Sequence, residues 1–100
     1  MPPVFLDVDP WVLRASPNRA TGADPVKLAR QIGQFGASVV NMPVIEAWRC
    51  KDDELVVADG MTRATRVAKF LPGRLVRVVV VDHLPHYDAR RLPKIGDLLP

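Results

Sequence analysis

A small α+β domain, a mixed β-sheet flanked by helices, is the fold class that the sequence predicts. Three stretches carry this expectation. Residues 75–82 form a β-branched, nearly all-apolar run of strand length. Asp24-Pro25 opens a helical pattern that Gly36 closes. Val56 to Phe70 reads as a strand, a tight Asp-Gly turn and a helix. One hundred residues suit a single domain, 1–100, with a core at about 4–82 and an irregular arm over 83–100.

Composition narrows the setting. The chain is 48% hydrophobic and 25% charged, the balance of an ordinary globular domain. Its longest apolar run is strand-sized, well short of the ~20 residues that cross a bilayer, so no membrane partner is expected. Met1-Pro2-Pro3-Val4 does not resemble a signal segment, and the lone Cys50 agrees with a reducing compartment. A cytoplasmic location is the expectation, for a whole protein or for a piece of a larger one. Charge is uneven. Residues 1–58 carry six Lys/Arg against seven Asp/Glu, and residues 59–100 carry eight against four. The basic excess begins at the Asp-Gly turn, which favours an anionic partner.

In chain order, Val4 to Val8 is an opening strand that Pro10 ends. Trp11 to Arg14 is a helical turn or an extended link, and Ser16 to Gly22 is a loop carrying Arg19. In the helix after Asp24, Leu28, Ile32 and Phe35 make the buried stripe, while Lys27, Arg30, Gln31 and Gln34 face outward. Gly33 within it permits close backbone packing. Pro43 to Arg49 and Leu55 to Ala58 form a hairpin around a charged turn. The next helix, about Met61 to Leu71, turns Met61, Ala64, Val67, Ala68 and Leu71 inward. Its outward face is Thr62, Arg63, Thr65, Arg66 and Lys69, and Pro72-Gly73 stops it. Residues 75–82 are placed centrally, covered on both faces. In the arm, Leu84, Leu92, Ile95, Leu98 and Leu99 are the anchors, and Trp11 and Trp48 are core or subunit-contact residues.

The chemistry concentrates at Asp59-Gly60-Met61-Thr62-Arg63. A glycine turn into a helix start gathers backbone N–H groups that lack helical partners, and the helix dipole favours negative charge there. Gly60 permits close backbone approach, and Arg63 offers a fork that fits phosphate. Arg66 lies one turn on. Asp59 caps the helix through its carboxylate in the first reading; as a general base or as a ligand to Mg²⁺ beside a nucleotide in the others. His83, His86 and Asp88 are closely spaced, but Pro85 breaks their geometry, and no metal site is assigned.

The order strand, arginine-bearing loop, capped helix ending in Phe-Gly, Pro-led strand, strand, Gly-x-x-Arg turn, helix and strand resembles the ParB/sulfiredoxin-like family. Leu28 to Gly36 with Pro43-Val44-Ile45 is similar to that family's helix and following strand. Val56 to Arg63 with Ala64 and Ala68 is similar to its ligand turn. The resemblance spans about residues 4–82. It implies that the turn binds a nucleotide or nucleic-acid phosphate, with Arg14 or Arg19 approaching from the N-terminal loop. Met61 stands where sulfiredoxins carry cysteine and where CTP-hydrolysing ParB proteins carry an acid. Thr62 stands where His or Arg is usual. Of the free-serine kinase motif Asp-Gly-His-His-Arg, Asp59, Gly60 and Arg63 remain.

The expected function is therefore binding of a phosphate-bearing ligand at this turn. The alternatives are a ParB-like nuclease or nucleotide-dependent phosphotransferase, and a protein-interaction or homodimerisation module without catalysis.

Overall fold

The computed structural model describes residues 3–99; Met1, Pro2 and Pro100, and with them half of the stretch Met1 to Val4, lie outside the described residues. Four strands form one mixed sheet in the order β1-β4-β2-β3. They are β1 (Val4–Val8), β2 (Ile45–Cys50), β3 (Leu55–Asp59) and β4 (Val76–Leu84). β4 lies antiparallel to β1 and parallel to β2, and β2 and β3 form an antiparallel hairpin. Two helices complete the α+β architecture, α1 (Pro25–Phe35) and α2 (Met61–Phe70). Among the described residues no helix is long and apolar enough to cross a membrane.

The main core is the sheet face under α2. Met61, Ala64, Val67 and Ala68 meet Ile45, Ala47, Val57, Val76 and Val78, all buried. Small residues at 64 and 68 let the helix lie close to the branched strand residues. Adjacent strand residues point to opposite faces, so Val56 enters a second cluster with Cys50 and Ala89, edged by Trp48, Leu84 and Leu92. Burial there, with Glu54 nearby, pushes the Cys50 thiol pKa up and keeps it a packing residue.

Of the expected arm, His83 and Leu84 extend β4, and the residues from 85 to 99 pack into the fold. Ile95 is fully buried in the main core, and Leu98 and Leu99 pack beside it. Trp11 lies directly on Gly96, where any Cβ would overlap the indole ring. The chain around Arg14 bridges β3 at Val56 and the arm at Lys94, closing that edge of the sheet. β1 forms the other edge.

Several expectations are corrected. β4 is central in the sheet but is not covered on both faces: Val76, Val78 and Val80 are buried, whereas Val81 is 47% exposed. The arm reaches only the β2–β3 end of the second face. Within α1, Leu28 is buried but Phe35 is 50% exposed. Gly33 meets open space rather than a packed backbone. Thr65 and Arg66 are both 2% exposed and do not belong to an outward face.

Candidate functional site

The end of β3, the start of α2, the 16–19 turn and the first turns of α1 enclose a cleft of ≈ 400 Å³. That is the size of a small-ligand site, ~300–1,000 Å³. Its wall contains Asp59, Gly60, Met61, Thr62 and Arg63 of the predicted turn, together with Arg19. Lys27 and Gln31 of α1 close the far side, with Ser16 and Asn18 above. Three cationic side chains, Arg19, Lys27 and Arg63, thus face one carboxylate, Asp59.

Local chemistry builds each wall. Gly60 is the residue before α2 and has φ 109, a left-handed value that glycine accepts without strain. The first helical bond runs from the Ala64 N–H to the Gly60 carbonyl at 2.9 Å, and no side chain caps this end. The leading N–H groups of α2 are therefore left for a ligand or water. The Ser16 hydroxyl donates to the Val57 carbonyl at 2.9 Å and pins the Arg19 turn beside β3.

Arg63 lies over the glycine. A Cβ on Gly60 would sit 2.9 Å from Arg63 Nη2 and 3.1 Å from Ile45 Cγ1. That same Nη2 donates to the Val44 carbonyl at 3.0 Å and pairs with Asp59 Oδ2 at 3.5 Å. Arg63 Nε is buried without a partner. Asp59 therefore does not cap α2, which corrects the first reading of that residue. Its carboxylate turns to Arg63 because Gly60, one residue closer to the helix, holds the cap position.

Two of the expected arginines lie elsewhere. Arg14 Nε pairs with Glu54 at 3.2 Å, and its Nη1 donates to the Leu92 carbonyl at 3.0 Å. It staples β3 to the C-terminal arm and does not line the cleft. Arg66 points into the protein, where Nη1 donates to the carbonyls of Gly36 and Ser38 at 3.0 and 2.6 Å. Burial lowers its pKa from the ordinary arginine value. Arg66 holds the loop after α1 in place, and Arg63, one turn earlier in α2, reaches the cleft instead.

Lys27 is exposed, as expected of the outward face of α1, whereas Gln31 is half-buried. Their i, i+4 spacing on the first turns of α1 places them together, and the return of α2 beside α1 makes that face a wall. Among the described residues no group of three His, Cys, Asp or Glu side chains is gathered closely enough to hold a metal ion. No family model matches the chain, and no curated protein matches it.

Proposed function

We propose that the chain binds a phosphate-bearing ligand, a nucleotide or a nucleic-acid phosphate, in the cleft at Asp59-Gly60-Met61-Thr62-Arg63. The observation that carries this reading is the uncapped start of α2 opening into a cleft with three cations and one carboxylate. Backbone N–H groups supply directional donors, and Arg19, Lys27 and Arg63 supply charge. Thr62 adds a hydroxyl at the rim. Arg14 and Arg66 support the fold around the site.

The same reading places the fold in the ParB/sulfiredoxin-like group. Its support is the order of elements around the ligand turn, with the capped helix and the Asp-Gly turn in the positions that the resemblance assigns them. Asp59 is 66% exposed at the mouth. One such carboxylate fits Mg²⁺ that is held mostly by ligand phosphates and water. As a base or metal ligand, Asp59 would carry the phosphotransferase or nuclease alternative.

Thermal unfolding with inorganic phosphate, CTP, ATP and ADP, each with and without Mg²⁺, tests the proposal. A rise in Tm that Arg63→Ala removes supports it. No rise with any of them, or the same rise in the variant, refutes it. Metal-dependent turnover that disappears in Asp59→Ala with the fold intact would make the site an enzyme's.

A further inference from the structure

Gln31 and Arg63 form a wall shared by two cavities. On one side is the cationic cleft. On the other is a pocket of ≈ 170 Å³ whose remaining wall is chiefly Phe35, Val40, Met42, Pro43 and Arg66. A dry apolar cavity of about 150 Å³ accommodates one benzene ring, so this pocket has the capacity of a single ring. Its apolar rim is open: Phe35 is 50% and Val40 75% exposed.

The pocket is also held in shape. Arg66 is almost wholly buried at its base and ties down the loop after α1 through Gly36 and Ser38. The guanidinium lies 5.4 Å from the centroid of the Phe35 ring. Arg66 Nε has no partner. A fixed, poorly hydrated guanidinium beside an aromatic ring favours a neutral π-system over a cationic group.

We infer that the ligand of the cleft is a phosphate monoester carrying one compact neutral ring. The phosphate lies among Arg19, Lys27 and Arg63, and the ring enters the Phe35 pocket. This inference rests on the anion reading of the cleft. Gln31 and Arg63 line both cavities, which are therefore neighbours, and the ester link of the proposed ligand crosses this shared wall. Apolar burial selects for the ring, whereas the phosphate alone uses only the cleft.

Calorimetric titration of the full chain at fixed ionic strength separates these contributions. The probes are inorganic phosphate, methyl phosphate and phenyl phosphate, with CMP and AMP carrying their rings on a longer sugar link. Phenyl phosphate binds about tenfold more tightly than methyl phosphate, or about 1.4 kcal/mol. Phe35→Ala and Val40→Asp each abolish that ratio while methyl phosphate binding persists. Two variants are used because Phe35 also touches Arg66. Equal affinity for phenyl and methyl phosphate overturns the inference and leaves the anion site standing. So does a preference that survives both variants, whereas Phe35-dependent binding of CMP supports the inference and makes the ring a nucleobase. Absence of binding by every phosphate overturns the inference and the anion site together.

Discussion

The two helices begin in opposite ways. At α1, Asp24 Oδ1 accepts from the N–H groups of Val26 and Lys27 at 2.9 and 3.3 Å, and Pro25 has no N–H to satisfy. At α2, Gly60 occupies the corresponding place and brings no side chain. The nearest carboxylate, Asp59, is drawn to Arg63. One start closes itself with a built-in anion; the other leaves its donors to the cleft. Lys27 joins the two, since its backbone belongs to the closed start and its side chain lines the open one. A self-capped helix start is a structural device, whereas an uncapped start ringed with cations is suited to receive an anion from outside.

The largest expected effect comes from denying α2 its glycine. Gly60→Val forces a branched residue into the left-handed region and against Arg63 and Ile45. A loss of about 3 kcal/mol is expected from strain and overlap, read as a lower urea midpoint with unchanged slope. An unchanged midpoint would mean that the turn does not need positive φ.

Opening the closed start has a smaller effect. Asp24→Ala leaves the Val26 and Lys27 N–H groups uncapped and lowers Tm at neutral pH. Those hydrogen bonds, first that from Lys27, hold the Asp24 carboxyl below its ordinary value of 3.8. With a depressed folded pKa, the stabilisation is present above the ordinary value and is lost as pH falls through the folded one. The Tm difference between wild type and Asp24→Ala therefore shrinks with acidification below pH 3.8. A difference constant across that range would contradict the cap's ionic character.

Closing the open start is the smallest change in stability and the most informative one. Thr62→Glu puts a fixed negative charge in the first turn of α2. Stability rises by about 0.5 kcal/mol at low salt through the helix dipole. Phosphate stabilisation falls at the same time, because the added carboxylate competes for the same donors. Stronger phosphate binding in this variant would place the anion elsewhere.

The positions of the two helix starts are legible in the chain, but the contrast between them is not, since the expected Asp59 cap would have closed both. Asp24-Pro25, Gly36 and Asp59-Gly60 are local signals that work through one or two residues, and the helices begin and end where those signals stand. β1 spans Val4–Val8, as its pattern indicates. The two arginines were harder. Nothing local distinguishes Arg66 from Arg63, and Arg66 is buried because a loop 30 residues upstream lies over it. Arg14 meets Glu54 and Leu92, 40 and 78 residues away. The arm over 83–99 has no period because it contributes single anchors, Ala89 to one cluster and Ile95 to another. Lys27 and Gln31 became cleft residues only when α2 returned beside them. Long-range partners thus decided which cations face the cleft and which serve the fold.

Backbone amide NMR during a titration with inorganic phosphate tests the contrast between the helix starts most directly. The amides of Met61, Thr62 and Arg63 shift in a saturable way, while that of Val26, already bonded to Asp24, stays in place. Equal shifts at both helix starts, or none at α2, would contradict the account.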